Sequence, residues 1–546
     1  MIGGTPILIL KEGTEREKGK GAFENNVAAA KAIADSVRST LGPKGMDKML
    51  VDGTGDITIT NDGVTILKEM EIEHPAAKML VEVAKTQEQQ CGDGTTTAVV
   101  LAGELLKKSE SLISQNIHPT VIAKGYRLAE EQALDVINKV AKNVSIGQKD
   151  LLKNIAITTM NSKGIGEGKD LFSDVAVNAV ISVTEKRDNK NIVDMESIKI
   201  EKKIGGSIND TELIKGIVID KERVHSRMPK EVKNAKILLI SSALEIKKTE
   251  IDAKIEITDP SKIQLFMSAE ENILKEMVEK IKENKVSVVF CQKGIDDYVA
   301  YSLAKEGIMA VKQVKESDMK KLAKSVSGKI VTGIKNLMAD DLGNAGLVEE
   351  VKIGDSNMIF VRDCSNPKAV SILVRGGTEH VIEEAERTLH DALRVIGISI
   401  EDGQYICGGG ATEMVISTKL KRYGSTVGGR EQMAIEAFAE ALEIIPRTLS
   451  ENGGLDPMDT LIKLRKVHDS GEKYSYGIDL STGEPEDMHK KAIIEPIRVK
   501  MQAIQSATEA AIMIIRIDDV ITAKKGAPPS AGGAGGAGGM GGYGGY

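Results

Sequence analysis

Gly92-Asp93-Gly94-Thr95-Thr96-Thr97, followed directly by the apolar run Ala98 to Lys108, is the stretch on which the reading of this chain turns. Two glycines flank one carboxylate, three hydroxyls follow, and a helix begins. Glycine lets the backbone enter φ > 0 and approach a ligand closely. A helix start offers unpaired N–H groups and partial positive charge, which suit phosphate. Asp93 would repel a bare phosphate, so the loop makes chemical sense with a cation between them. Mg²⁺ fits, since it takes few protein ligands and shares its shell with phosphate oxygens. No Gly-Lys-Ser/Thr follows, so this is not a P-loop. The same letters also suit an ordinary Asp cap with threonines in a first turn.

Working outward, Glu24 to Thr40 carries Val27, Ala30, Ile33, Ala34 and Val37 at helical spacing and stops at Gly42-Pro43. Lys48 to Val51 and Ile57 to Thr60 form a hairpin candidate around Asp52-Gly53-Thr54-Gly55-Asp56, and Asn61-Asp62-Gly63 reads as a turn. Helices dominate to about Val144. The middle third then alternates short β-rich runs (198–204, 214–220, 235–241, 286–291, 309–314, 329–331) with helical stretches (269–284, 294–305), the pattern of an α/β domain. Leu244 to Gln264 interrupts it as an insertion broken by Asp259-Pro260. Glu379 to Ile396 has an apolar stripe at Ile382, Ala385, Leu389, Leu393 and Ile396. Asp391 falls off that stripe, on a face with Glu383, Glu384 and Arg387 that reads as solvated. Gly408-Gly409-Gly410 precedes a helix near Ala411, and Lys163 sits alone in a polar turn. Residues 526–546 are about half glycine and read as a flexible tail.

Composition bounds the rest. At 546 residues the length prior is about three or four domains. Aromatics are 3% and Trp is absent, so the cores must be aliphatic. A net charge of −7 without a basic tract argues against a nucleic-acid face. No apolar run reaches the length of a membrane span, and Met1 to Leu10 lacks the marks of a signal peptide. The four cysteines lie far apart with no C-x-x-C, which fits a reducing cytoplasm. No HExxH or i, i+4 histidine pair suggests a zinc hydrolase.

TLGPKGMDKML (40–50), TNDGVTIL (60–67), GDGTTT (92–97), LHDAL (389–393), GGGATE (408–413) and IEPIRVK (494–500), in this order, resemble the chaperonins, and specifically their group II branch. The resemblance covers about residues 8–525. It implies a multidomain fold: a mostly α-helical equatorial domain from 1–146 and 404–525, a small α/β intermediate domain from 147–215 and 369–403, and an α/β apical domain, 216–368, with a helical lid protrusion at about 244–270. It implies an ATP-driven folding machine of stacked double rings, with identical or paralogous subunits and unfolded proteins as clients.

By motif match, Asp93 would hold Mg²⁺, and Gly94, Thr95, Thr96 and Thr97 would hold phosphate, with K⁺ a candidate further ion. Leu41, Gly42 and Pro43 would line the nucleotide, Gly409 would lie near the ribose, and Glu495 would take its hydroxyls. Lys163 would meet the γ-phosphate, while Asp391 and Asp62 would activate the attacking water. Ile255, Ile257, Ile263, Phe266 and Met267 are the apolar lid or client candidates. Strands at Pro6 to Leu10 and Ile512 to Ile517 would join a neighbour's 48–60 hairpin. Two stretches depart from the family pattern. Gln89-Gln90-Cys91 places a cysteine beside the metal ligand, as a small hydrophobe or a thiol sensitivity, and Gly19 to Phe23 has an unusual sequence that, if it contacts neighbours, would make inter-subunit coupling differ from the family's.

Overall fold

The computed structural model describes residues 15–163, 166–246, 260–365, 367–471 and 473–522. Its largest core is a bundle of helices drawn from both ends of the chain. The first helix, Lys20–Arg38, starts earlier than its periodicity suggested and buries Phe23, Val27, Ala30, Ile33, Ala34 and Val37 on one stripe. It packs along the Thr95–Ser114 helix, where Gly103 lets Ala34 approach. The helices Pro75–Cys91, Pro119–Val140, Ala411–Val427, Gly429–Leu442 and Ile497–Ile515 complete the bundle. Its interior is nearly all aliphatic. Tyr126, edge-on to Phe438 at 5.6 Å, is anchored by its hydroxyl donating to the Leu105 carbonyl at 2.8 Å.

The hairpin forms as read, Lys48–Val51 against Ile57–Thr60, with Leu50 opposite Thr58. Met49, Val51, Ile57 and Ile59 stand exposed on it. The terminal strands differ from expectation. Pro6 to Leu10 lies outside the described residues. Ile512 to Ile515 ends the long Ile497–Ile515 helix, and the strand comes after it, at Asp519–Thr522, antiparallel to Glu15–Lys18. The strand there was expected from the resemblance; Ile512, Ile514 and Ile515 are instead buried against the bundle as the end of a helix.

A second core lies under a three-stranded sheet. Ile198–Ile204 runs parallel to Val370–Gly376, which also pairs antiparallel with Glu212–Ile214. Helices Lys149–Met160, Lys169–Val183 and Glu379–Asp402 cover it.

The middle third forms a seven-stranded mixed sheet. Glu231–Ile240 is central, parallel to Val288–Cys291 and Ile330–Val331 and antiparallel to Gly343–Ile353. Its period-two alternation splits the packing. Leu238 and Ile240 face a core with the Asp297–Lys305 and Pro260–Glu283 helices, while Ile237 and Leu239 face one with Glu316–Val326. Of the lid candidates, Ile255 and Ile257 lie outside the described residues. Ile263, Phe266 and Met267 fall on the Pro260–Glu283 helix, with side chains outside the description. The glycine-rich tail is outside it as well.

Candidate functional site

The Pro75–Cys91 helix ends at Gly92 in the left-handed region, φ 72°, and Gly94, φ 79°, starts the Thr95–Ser114 helix. The helix therefore begins at the first threonine, not at Ala98. No side chain caps it, so its first-turn N–H groups remain available to a ligand. A Cβ on Gly94 would lie 2.9 Å from both Gln87 Nε2 and Val499 Cγ1, which explains the glycine. Buried Gln87 fixes the loop by donating to the carbonyls of Asp93 at 2.8 Å and Val499 at 3.0 Å.

A second helix start faces the first. Asp62 is the N-cap of the Gly63–Glu69 helix rather than a simple turn residue. Its Oδ2 accepts from Thr65 N at 2.9 Å and Thr65 Oγ1 at 2.7 Å. Its other oxygen lies 3.4 Å from Thr95 Oγ1.

Asp391 corrects the sequence reading. It is 6% exposed, not solvated, and its carboxylate is paired with Lys163. The helix that carries it is packed on more than one side. The apolar stripe meets the second core, while the Asp391 face is covered by the turn that follows the Lys149–Met160 helix and by the end of the Pro75–Cys91 helix. Asn61 Nδ2 donates to the carbonyl of Ser162 and so steadies the Lys163 turn.

Lys163 faces Asp391, Asp62 and Asp93. Burial works against its charge, but these carboxylates outweigh burial and hold it firmly protonated. Burial pushes the Asp93 carboxyl up, with Lys163 and the Gly94 N–H opposing. Three carboxylates thus share one ammonium. That excess of negative charge, together with the oxygen-only donor set, fits a hard divalent cation such as Mg²⁺ at Asp93.

At the other end, Gly409 and Gly410 turn the chain into the Ala411–Val427 helix, and Ile478 N donates to the Gly409 carbonyl at 2.9 Å. Glu495 sits on the strand Ile494–Pro496, opposite Ile406. Burial pushes its carboxyl up to about 7, with Lys500 opposing and Glu413 and Asp93 reinforcing.

These parts enclose one open cavity of about 300 Å³. Every nucleotide, catalytic and metal residue named from the sequence lines it: Leu41, Gly42, Pro43, Asp62, Asp93, Gly94, Thr95, Thr96, Thr97, Lys163, Asp391, Gly409 and Glu495. The sequence reading missed Glu413 and Lys500, which also line it as a buried ion pair. They lay inside the quoted GGGATE and IEPIRVK motifs, where sharing a motif with Gly409 and Glu495 was the available signal. It also missed Glu88 and His390, whose ligand atoms lie with that of Asp391 inside a 4.8 Å span. Burial first, then Asp391 and Asp62, pushes Glu88 up to about 7. Cys91 is fully buried with Ile398 and Val499, and burial pushes its thiol up to about 12. It behaves as a small hydrophobe.

Comparison with known proteins agrees with this architecture. The family model for the TCP-1/cpn60 chaperonin family matches residues 33–525. The chain is 59% identical over 533 residues to the thermosome subunit alpha of Thermoplasma acidophilum, covering 98% of this chain and 97% of that one. It is 57% identical over 530 residues to the thermosome subunit beta of Archaeoglobus fulgidus, covering 97% of each. It is 58% identical over 525 residues to the thermosome subunit of Pyrococcus horikoshii, covering 96% of this chain and 95% of that one. A helical bundle, an α/β sheet domain and a cavity built from the GDGTTT and GGGATE loops thus occur in one chain that matches the family model along nearly its whole length, and the chain belongs to the TCP-1/cpn60 chaperonin family.

Proposed function

We propose that the cavity described above is where this group II chaperonin binds and hydrolyses ATP. The family couples ATP hydrolysis to protein folding, and the chain is an ATP-dependent chaperone. The observation that carries the site assignment is convergence. The Asp93 loop, Asp62, Lys163 and Asp391 come from distant parts of the chain and line one cavity.

In this reading Gly94 and Thr95 to Thr97 present N–H and hydroxyl donors to phosphate oxygens. Asp93 holds Mg²⁺, which when bound neutralises phosphate charge. Lys163 meets the γ-phosphate, and Asp391, with Asp62, orients the attacking water and accepts its proton. Gly42 and Pro43 flank the nucleotide, and Glu495 accepts from the ribose. Phosphoryl transfer asks mainly for positioning and charge neutralisation, which these groups supply. Asp391 rides on a helix of the second core, whereas Asp93 belongs to the helical bundle, so motion between the two would gate hydrolysis.

We assign the equatorial domain to 1–146 and 404–525, the intermediate to 147–215 and 369–403, and the apical to 216–368, with its lid at 244–270. The separate buried cores support this division. Subunits assemble as stacked rings in the cytoplasm around unfolded clients, closed by the built-in lid, with K⁺ a candidate further ion. The exposed apolar hairpin at Met49, Val51, Ile57 and Ile59 supports a partner there. No helix among the described residues is long and apolar enough to cross a membrane.

The test compares wild type with Asp391→Ala by calorimetric ATP binding and single-turnover hydrolysis. The variant should bind ATP and lose about 10²–10⁴-fold in hydrolysis, typical of general-base removal. Near-normal turnover would sink the assignment. Refolding of a denatured client with ATP, read beside negative-stain images, tests rings and clients.

A further inference from the structure

Two helices that meet beside the cavity bring three metal-type ligands together. Glu88 lies in the last turn of the Pro75–Cys91 helix, and His390 and Asp391 lie on the Glu379–Asp402 helix. The ligand atoms of the three all lie within 4.8 Å of one another, and among the described residues no other three His, Cys, Asp or Glu side chains are so arranged. Asp391 can serve this group and Lys163 at once. Its Oδ2 is paired with Lys163, while its Oδ1 lies 3.9 Å from His390 Nδ1. The His390 side chain is 60% exposed and Glu88 is half-buried, so the group opens to solvent through His390.

Two carboxylates and one imidazole are a donor set for a borderline cation. Imidazole suits Zn²⁺, Ni²⁺ and Cu²⁺, whereas Mg²⁺ takes oxygen ligands. Bonds of about 2.0–2.2 Å to a tetrahedral Zn²⁺ place neighbouring ligand atoms about 3.3–3.6 Å apart, so closing on the ion takes shifts of about 1 Å. Three protein ligands leave a fourth position for water. Lys163 and Arg394 oppose a cation here, and Glu88, Asp391 and Asp62 favour it.

We infer that Glu88, His390 and Asp391 form a second metal site, for a divalent transition metal of the Zn²⁺ class, and that its occupation holds back ATP hydrolysis. The helix of Glu88 belongs to the helical bundle and that of His390 and Asp391 to the second core, so the ion would bridge the two bodies whose motion gates hydrolysis. It would also draw electron density from Asp391 and weaken it as a base. The inhibition rests on the proposed role of Asp391; the binding of metal does not.

A cluster that only ties the two helices together by charge is the competing account. The experiment titrates nucleotide-free, full-length protein with ZnCl₂ in excess MgCl₂ by calorimetry. It compares wild type, Glu88→Gln, His390→Gln and, as a control on an exposed histidine of the same helix, His380→Gln. Circular dichroism confirms folding, and Co²⁺ in place of Zn²⁺ reports its ligands by visible absorption.

Wild type should bind one Zn²⁺ per chain. Glu88→Gln and His390→Gln should each weaken it by at least about 10- to 100-fold, the cost of losing even an outer-shell partner. His380→Gln should not. The spectrum of bound Co²⁺ should be lost in His390→Gln. Zn²⁺ should slow single-turnover ATP hydrolysis in wild type, and His390→Gln should need correspondingly more Zn²⁺ for the same slowing. No stoichiometric Zn²⁺ binding in wild type, or equal binding in wild type and both ligand variants, would overturn the site. Zn²⁺ bound through these residues without slowing hydrolysis would overturn the inhibitory role. If wild type neither binds nor hydrolyses ATP, the reading of the cavity fails, and the Zn²⁺ titration still decides the site.

Discussion

Lys163 and Asp391, 228 positions apart in the chain, form an ion pair in which each side chain is only 9% exposed. The pair joins a turn after one helix of the second core to the middle of another, at the lip of the cavity. Removing Lys163 leaves Asp391 among Asp62 and Asp93 with no ammonium beside it, a loss of about 3–5 kcal/mol in a dry interior and less beside an open cavity, whereas removing Asp391 leaves Lys163 with Asp62 and Asp93 and costs less. Lys163→Met and Asp391→Asn should therefore each destabilise, while the double variant loses less than their sum. Urea unfolding of the four proteins should give a coupling of about 1–3 kcal/mol. Additive losses would show that the two charges do not depend on each other.

Glu88, clustered with His390 and Asp391, gives the fold a pH dependence. Its carboxyl, ordinarily near 4.5, is raised to about 7 in the folded chain by burial, then by Asp391 and Asp62. The folded state holds that proton more tightly than the unfolded one. The stabilising contribution is complete below about pH 4.5 and lost as pH rises through 7. Glu88→Gln cannot ionise, so it should match wild type near pH 4.5 and exceed it at pH 8 by about 1–2 kcal/mol, allowing for partial exposure. Melting temperatures of both proteins across that range would check the sign, and a constant difference would refute it.

Native protein should not react with thiol reagents. All four cysteines are buried, and the Cys91 thiol, pushed up to about 12, is almost wholly protonated at pH 8. The thiolate is the reactive form. Labelling by iodoacetamide should appear only on unfolding, and Cys91→Val should keep ATPase activity with a stability change within about 1.5 kcal/mol. Rapid labelling of Cys91 in the folded protein would contradict its placement.

Gly94 should resist substitution more than a glycine under conformational strain alone. At φ 79° an alanine costs about 1–2 kcal/mol, and its Cβ would press on Gln87 and Val499 at 2.9 Å. Gly307, φ 73°, has nothing within 4 Å of such a Cβ. Gly94→Ala should therefore lower the melting temperature more than Gly307→Ala, and it alone should weaken ATP binding. Equal effects on both readouts would remove the packing argument.

What could be read from the sequence was what is local. The stripe Val27 to Val37, the 48–60 hairpin and the alternation of the middle third follow from periods of 3.6 and 2, and the structure has them. The loop Gly92 to Thr97 could be read because glycine and hydroxyl chemistry is local too. Asp391 was misplaced because burial of its face depends on elements far away in sequence, Lys163 above all. The Glu413–Lys500 pair was missed for the same reason. The last strand, set at Ile512 to Ile517 by the resemblance, begins later, at Asp519, because Ile512, Ile514 and Ile515 are buried in the last helix.

The first described strand, Glu15–Lys18, finds its partner at Asp519–Thr522, with Arg16 Nε 2.9 Å from Asp519 Oδ2. At about 5–20 residues per second of synthesis, Glu15 waits roughly half a minute to nearly two minutes for that partner. The cavity waits almost as long, since Lys500 is part of its wall. A ribosome-bound chain thus has neither a paired first strand nor a complete cavity wall until its last helix emerges. A product cut short before Lys500 lacks both the strand that pairs with Glu15–Lys18 and part of the cavity wall.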